Sequence, residues 1–568
     1  MMERRRSRAP ALLPLALLLW VTASGASAAR VHYLEIEPNM EPVSKPLDEE
    51  LNRGFSMPEA VPTIVDQAYG FQPEQIHLTY WGSPDKMAVS FVTADAQMPL
   101  GPPQLLLLPP FKAYVKYGLS NDTFDKNATC VTTSYIQDQY NWNKSPSYVS
   151  PYISHCLMTG LPAGARVWYM VGWPELDTWS PPFNFTTYNA TENFPFVIGV
   201  IADLGTSFNA SQTMRQLERT KPAPKLLLNM GDMSYADIYQ PTGNQGMNPK
   251  EFRYKLGYQP RWDMLGRMLQ NLTKCVPMMT TPGNHDVEPQ PDGTVFASYT
   301  TRYPVPVDKD EVLTLLNKHS EGHPSPDNGL YYSFDVPGVA HFFALTSYIP
   351  NDTFSKDTQQ YKWLEGDLAA VDRKRTPWLI AFFHAPIVTS YEDSFKQVEC
   401  MRLTYEPLFY KYGVDLILNG HVHAYERSKP VYNYTLNPCG AVHITVGCSG
   451  KPGIETGSYA LDTKFVDAQP QAPFCQDPKL LDKKPNPMQP LRCHTYQPDR
   501  GGFCWNKQPE FSAYREAAYG HGLLTLLDRG TAVWRFNRNN DHLRRPADSF
   551  VIRRAKNSPC PNRADIWP

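Results

Sequence analysis

From Phe196 onward the chain carries short, almost wholly apolar runs that each stop abruptly at polar residues: Phe196-Val197-Ile198-Gly199-Val200-Ile201, Leu226-Leu227-Leu228, Trp378-Leu379-Ile380-Ala381-Phe382-Phe383 and Val414-Asp415-Leu416-Ile417-Leu418. A strand with one wet face alternates apolar and polar residues, whereas a run apolar at nearly every position reads as a strand covered on both faces. Helical stretches lie between some of these runs, so the pattern predicts an α/β layout. Ligands in such sheets gather beyond the carboxyl ends of the strands, which makes the residues just after each run the ones to read for function.

Those residues are Asp203-Leu204-Gly205, Gly231-Asp232-Met233-Ser234-Tyr235, Gly283-Asn284-His285-Asp286, His384-Ala385-Pro386 and Gly420-His421-Val422-His423. Five strand ends thus offer carboxylates, an amide, a phenol and imidazoles to one rim. Oxygen and nitrogen donors of these types, in this number, suit two metal ions rather than one. A carboxylate such as Asp232 can bridge two cations and hold them close enough to clamp the attacking and leaving oxygens of a phosphoryl group. Each piece alone is weak, since a lone Gly-Asp or Asn-His is more often a turn. The ordered set, each member after an apolar run, points to a metal site. His421 and His423 are expected on one face of a strand, and a glycine beside each ligand is expected to let the backbone turn sharply.

The segment 73–190 differs. Ile76-His77-Leu78-Thr79-Tyr80, Met87-Ala88-Val89-Ser90-Phe91-Val92, Tyr114-Val115-Lys116-Tyr117 and Arg166-Val167-Trp168-Tyr169-Met170-Val171 are short β-rich runs separated by turn residues, which predicts an all-β sandwich that packs against and orients the domain at 194–554. Residues 29–72, polar and Pro-bearing, read as an extended arm. The Pro-rich stretch 469–502, with Cys475 and Cys493, reads as a surface excursion, and 555–568 as a tail.

Residues 1–28 combine Arg4-Arg5-Arg6, the apolar run Ala11 to Val21 and Ala26-Ser27-Ala28, the pattern of a cleaved signal peptide. The run is short of the roughly 20 residues a span needs, so a secreted protein, extracellular or vacuolar, is expected rather than a membrane one. Nine N-x-S/T sequons, at Asn121, Asn127, Asn143, Asn184, Asn189, Asn209, Asn271, Asn351 and Asn433, fit a glycosylating route. In that compartment the ten Cys read as disulfides, and no C-x-x-C pair suggests a zinc finger. A formal net charge of −2, with 19% charged residues and no basic block beyond the N-terminus, excludes the electrostatic footprint of a nucleic-acid binder.

The ordered set DxG, GDxxY, GNH(D/E), a lone His after a strand, and GHxH resembles the purple acid phosphatases, specifically the long plant type with an N-terminal fibronectin-III-like domain. The likeness runs from Pro73-Glu74-Gln75-Ile76 to Tyr519-Gly520-His521-Gly522, and Glu399-Cys400-Met401-Arg402 and Phe503-Cys504-Trp505 are similar to the branch that includes phytases. The resemblance implies a catalytic β-sandwich of mixed sheets flanked by helices, as in other metallophosphoesterases. It implies an Fe(III) held by Asp203, Tyr235 and His423, a divalent ion (Zn, Mn or Fe) held by Asn284, His384 and His421, and Asp232 bridging the two. Phenolate and carboxylate are hard donors that suit Fe(III), while amide and imidazole suit the divalent ions. A trivalent ion acidifies bound water further, which fits phosphate-monoester hydrolysis at acidic pH by metal-hydroxide attack, with His285 and Asn284 meeting the substrate phosphate. Phytate is a substrate by resemblance only, and a homodimer is left open in the same way.

The chain departs from its relatives where they carry one or two His nine or ten residues beyond the residue matching His384. Here stand Asp393 and Ser394, with Ala381 and Ile387 also altered nearby. A missing general acid costs about 10² to 10⁴ in rate for poor leaving groups. A phosphodiesterase or nucleotide pyrophosphatase on the same scaffold is the nearest rival, and Tyr235 argues against it. Ser394 keeps open a metal-binding glycoprotein with weak turnover. Cys400 reads as a disulfide half, His521 as structural, and Lys411 and Arg427 as solvated or paired side chains.

Overall fold

The structure, a computed structural model, describes residues 42–45, 70–93, 111–138, 148–237, 257, 259–307, 329–349, 354–391, 394, 397–450, 508–539, 541, 545–554 and 560. The expected signal segment 1–28, the 469–502 excursion, nearly all of the 555–568 tail and Asp393 lie outside them.

The apolar runs form two mixed sheets. In one, the strands run in the order Met278–Thr280, Leu226–Asn229, Phe196–Ile201, Gly520–Leu526, Thr531–Arg538 and Asp548–Arg553, with the first three parallel. The other places Ala340–Ala344, Trp378–Phe382, Leu416–Asn419 and Val442–Val446 side by side in parallel, and Tyr332–Val336 on one edge. Beyond Val442–Val446 it continues through Tyr425–Ser428 and Ser512–Glu516 to Val43–Lys45, so the N-terminal arm contributes an edge strand.

Period-two alternation sorts each strand's side chains between two interiors. Phe196, Ile198 and Val200 of one sheet join Ile380, Phe382, Leu416 and Leu418 of the other in a single core between the sheets. Val197 and Ile201 instead meet Met214, Leu217, Trp262 and Leu265 on the helices Phe208–Arg219 and Arg261–Thr273. On the far side, Leu379 and Ala381 meet Leu364, Met401, Tyr405 and Phe409 on the helices Gln359–Ala370 and Glu399–Tyr412. This helix–sheet–sheet–helix layering is the expected sandwich of mixed sheets, and it explains why the runs are apolar at nearly every position. Each Leu, Ile or Phe buried this way stabilises the fold by about 1.5–3 kcal/mol. Truncating a residue such as Ile380 to Ala would cost roughly 2–5 kcal/mol.

The helices start and stop where local chemistry directs. Ser207 caps Phe208–Arg219 by accepting the Ala210 N–H at 3.1 Å. Glu399–Tyr412 ends at Gly413, whose φ of 66° is open to glycine at little steric cost.

The N-terminal module is all-β, and its strands include Glu74–Tyr80, Met87–Thr93, Tyr114–Gly118, Lys126–Thr133, Tyr152–Met158 and Arg166–Trp173. The first half of Lys126–Thr133 pairs with Tyr114–Gly118 and the second half with Tyr152–Met158, so this strand joins the two strand groups into one continuous eight-stranded sheet. A disulfide joins Cys130 to the directly opposed Cys156. The module grips the catalytic side through helix Arg261–Thr273: Gln270 Oε1 accepts the Ile76 N–H at 3.0 Å, Tyr148 donates to Asp263 at 2.7 Å, and Arg267 pairs with Glu74 at 2.6 Å.

Two expectations are corrected. Cys439 pairs with Cys560 and Cys400 is disulfide-bonded, but Cys275 and Cys448 are free thiols, the latter fully enclosed between strands. Asn209 is only 2% exposed on its helix, so it offers no amide to a glycosylating enzyme. Asn121, Asn127, Asn189, Asn271 and Asn433 are exposed, Asn184 is half-buried, and Asn143 and Asn351 lie outside the described residues. Among the described residues no helix is long and apolar enough to cross a membrane.

Candidate functional site

Asp203 follows strand Phe196–Ile201, Asp232 and Tyr235 follow Leu226–Asn229, and Asn284 and His285 follow Met278–Thr280. From the second sheet, His384 follows Trp378–Phe382, and His421 and His423 follow Leu416–Asn419. The site therefore sits where the parallel strands of both sheets end, as the sequence predicts.

The local geometry differs from expectation in two respects. Four donors take the left-handed turns themselves, with φ of 54° at Asp203, 49° at Asp232, 53° at Tyr235 and 69° at His421. Backbone of this kind in non-glycine residues costs on the order of 1 kcal/mol or more each and persists where surrounding structure imposes it. Gly205 and Gly231 take left-handed turns as expected, with φ of 60° and 86°, while Gly283 and Gly420 serve close approach: a Cβ would stand 2.2 Å from Asp232 Oδ1 in the first and 2.6 Å from Asp203 Oδ2 in the second. Nor do His421 and His423 share a strand face. They occupy a bend between the strands ending at Asn419 and starting at Tyr425, and the turn at His421 sends the two imidazoles to different neighbours.

Those neighbours form two groups with one shared member. Donor atoms of Asp232, His384 and His421 lie within 4.8 Å of one another, and so do those of Asp203, Asp232 and His423. In the first group His384 Nε2 is 3.2 Å from Asp232 Oδ2, and His421 Nδ1 is 3.0 Å from Asn284 Oδ1. In the second, His423 Nε2 is 3.2 Å from Asp203 Oδ1, and the Tyr235 phenol oxygen is 2.9 Å from that carboxylate and 3.0 Å from that imidazole. All seven expected donors converge.

Their chemistry fits cations. His384 Nδ1 donates to the Met230 carbonyl at 2.7 Å, and its completely buried Nε2 has no hydrogen-bond partner. A buried imidazole nitrogen 3.2 Å from a carboxylate oxygen requires a positive charge, either a proton on the ring or a metal ion that takes its place. Burial and the charge of His384 hold His421 well below the usual imidazole range, as a neutral ligand requires. Burial opposes ionisation of Asp232, yet His384 and His285 hold its carboxyl far below the ordinary value, while burial raises Asp203 to about 7. Burial and the two aspartates push the Tyr235 phenol well above its ordinary value, so its proton leaves only in exchange for a stronger positive charge.

A surrounding shell holds the donors, and most of it carried no signal in the sequence. Asp286 accepts the N–H groups of Asp232 (2.8 Å), Met233 (3.0 Å) and Gly283 (2.8 Å), bracing the Asp232 turn. Gln397 Oε1 lies 2.7 Å from His421 Nε2, and the Tyr348 hydroxyl is 3.3 Å from Nδ1 of the same ring. Asp237 Oδ2 takes His285 Nδ1 at 2.8 Å. Asp286 stands inside the Asn284-His285 motif, whereas Gln397, Tyr348 and Asp237 belong to no spacing that marks them. The side chains of His285 and His423 are 18% and 14% exposed, so the site opens on their side.

The other singled-out residues stay outside. Arg427 is buried and paired with Asp548 at 2.7 Å, and Lys411 lies over the Tyr412 ring. His521 is buried in Gly520–Leu526, where burial lowers it to about 4. Ser394 is buried, and its N–H meets the Tyr391 carbonyl at 3.3 Å.

Two helix-covered mixed sheets with a carboxylate–imidazole cluster at their parallel strand ends define a metallophosphoesterase, and the family model described as calcineurin-like phosphoesterase matches residues 196–425. Models described as purple acid phosphatase, N-terminal domain, and iron/zinc purple acid phosphatase-like protein C match 73–187 and 494–544. The chain is 32% identical over 563 residues to purple acid phosphatase 15 of Arabidopsis thaliana, covering 97% of this chain and 98% of the relative. It is 34% identical to purple acid phosphatase 13 of the same plant over 544 residues, 90% and 92% of the two chains. A purple acid phosphatase from yellow lupin (Lupinus luteus) seeds shares the fold, with a TM-score of 0.61, 18% identity and coverage of 85% and 74%. The chain belongs to the purple acid phosphatase family and is a phosphatase, acting on phosphate esters at a dinuclear metal centre.

Proposed function

We propose that the chain is exported through its first 28 residues and hydrolyses phosphate monoesters, phytate among them, at acidic pH. The observation that carries this reading is the membership of Asp232 in both donor groups. Asp203, Tyr235 and His423 would hold a ferric ion, Asn284, His384 and His421 a divalent ion (zinc, manganese or iron), and Asp232 both. When bound, such a pair supplies positive charge to phosphoryl oxygens and water acidic enough to ionise below neutral pH.

The protein's own groups do the rest. His384 offers Nε2 because Met230 keeps its Nδ1 proton, and Asp286 fixes the turn from which Asp232 projects. His285, on the open side, acts as an imidazolium: with Asp237 accepting its Nδ1 proton, it donates through Nε2 to an oxygen of the docked phosphate and stabilises charge there as it develops. Ser394, buried, offers no acid to the leaving group, so esters of acidic alcohols turn over fastest.

Phosphate release at about pH 5 from p-nitrophenyl phosphate and from phytate, with mature glycosylated protein, tests this. Faster release from the activated ester, abolished by chelation, is expected. No release from protein that holds both metals would leave a metal-binding glycoprotein instead.

A further inference from the structure

A hydrogen-bonded chain runs from the N-terminal arm to the segment that follows His384. Arg515, on strand Ser512–Glu516, is completely buried. Its Nε donates to the Ser44 hydroxyl at 2.9 Å and its Nη1 to the Ser390 hydroxyl at 3.0 Å. Ser390 is held in turn by Glu426, three residues past His423. That carboxylate accepts the N–H of Ser390 (2.9 Å) and the hydroxyls of Ser390 (2.5 Å), Thr389 (2.8 Å) and Ser512 (2.7 Å).

The anchored residues lead to the site in two directions. Tyr391, also completely buried, packs on Val422 and Ala424, the two neighbours of His423. Further along, the Ser394 N–H meets the Tyr391 carbonyl at 3.3 Å and the Gln397 N–H meets the Ser394 carbonyl at 3.1 Å. Gln397 Oε1 then lies 2.7 Å from His421 Nε2. Glu426 thus anchors the stretch of chain that leads from His384 to the partner of His421.

At the arm the connection is thin. Val43–Lys45 is three residues long, none of it fully buried, and lies parallel to Tyr514–Glu516 at the edge of the sheet. Besides Ser44, the Lys45 carbonyl accepts the Ala517 N–H at 3.1 Å and Val43 packs on the core between the sheets. Edge segments with so few bonds open far more readily than the whole fold. Opening of this one takes the Ser44 acceptor from a buried guanidinium, a costly loss for a charged donor, and Ser390 is bonded to the same group.

We infer that the N-terminal arm is a strap on the active-site rim, with Ser44 a positioning residue that acts through Arg515 and Ser390 on the His421-Val422-His423 bend. The inference rests on the reading of His421 and His423 as metal donors. With the arm in place, Thr389 and Ser390 stay on Glu426, Tyr391 stays on Val422, and Gln397 stays on His421. With the arm lifted, every donor remains but the bend loosens, so the divalent ion is held less firmly.

The test uses the whole glycosylated protein with both metals bound, beside Ser44→Ala, Ser44→Thr, Ser390→Ala, Ser44→Ala/Ser390→Ala and His421→Ala. Amide hydrogen exchange is followed in 385–391 and 420–424, with strand Leu226–Asn229 as the internal control, and divalent-ion affinity is read by chelator competition. The expected result for Ser44→Ala is exchange about 10-fold faster in both stretches, with the control strand unchanged. The divalent ion should be held about 3–10-fold more weakly, a smaller effect than loss of a direct partner of the ligand. Ser44→Thr, which keeps the hydroxyl, should behave as the parent, and the double variant should be no worse than Ser390→Ala alone. Unchanged exchange or ion affinity in Ser44→Ala, or equal losses from Ser44→Ala with and without Ser390, would overturn the strap while leaving the donor assignment intact. A His421→Ala variant that keeps its divalent ion would overturn the assignment on which the strap rests.

Discussion

His384 Nε2 stands 3.2 Å from Asp232 Oδ2 while the opposite nitrogen of the same ring is committed to the Met230 carbonyl at 2.7 Å. Neither side chain reaches solvent, so this contact demands a positive charge between the two atoms or on the ring. Burial opposes that charge, yet Asp232 and Asp203 raise His384 to about 9. The same demand is met by a metal ion. Replacing His384 by Ala should therefore release the divalent ion and spare the ferric one, whose proposed donors Asp203, Tyr235 and His423 remain. Metal analysis of the purified variant should find about one ion per chain; two ions would contradict the assignment.

Tyr235→Phe keeps the ring that packs on His285 at 4.6 Å and removes only the oxygen that touches Asp203 and His423. The expected outcome is loss of the visible absorption of the ferric site with the fold retained, and activity lower by about 10–100-fold or more, in line with losing one metal donor. An unchanged visible spectrum would remove Tyr235 from the ligand set.

Gln397 is placed to fix His421. Its Oε1, 2.7 Å from Nε2, holds the proton there and leaves Nδ1 facing Asn284. Removing such an outer partner lowers metal affinity by about 10–100-fold. A chelator-competition titration of Gln397→Ala should show that loss for the divalent ion only.

Far from the site, His341 lies between Asp335 (2.7 Å) and Asp367 (2.9 Å). Burial disfavours its charge, but the two carboxylates raise it to about 9, above its ordinary 6.5. A folded-state value raised in this way stabilises fully below about pH 6.5 and is lost as pH climbs through 9. The melting temperature of His341→Gln should fall well below that of the parent at pH 5–6 and converge with it near pH 10. A constant gap across that range would show that the ion pairs contribute nothing.

Much of this was legible in the chain because burial on both faces leaves its mark as runs without polar residues. The residues that follow Phe196–Ile201, Leu226–Asn229 and Trp378–Phe382 mark a rim in the sequence alone. Partition between two sheets was not legible, since a run apolar throughout carries no record of which layer covers it. The bend at His421-Val422-His423 was hidden for a related reason: the left-handed turn falls on His421, a residue type that does not advertise it. Asn209 carries its sequon yet is buried on its helix, and Cys275 and Cys448 stay unpaired, because an even cysteine count does not record which thiols the fold brings together. Gln397 and Asp237 act through single hydrogen bonds across the fold, which leave no periodicity to find.

The shared carboxylate is the centre of the proposal, so the most direct measurement is metal content together with phosphate release for Asp232→Asn beside the parent protein. An amide keeps the shape and cannot bridge two cations as a carboxylate does. The expected result is loss of metal from both groups and loss of turnover by at least about 10³-fold, with the fold intact. A variant that keeps two ions and hydrolyses p-nitrophenyl phosphate at the parent's rate would contradict the bridging role of Asp232.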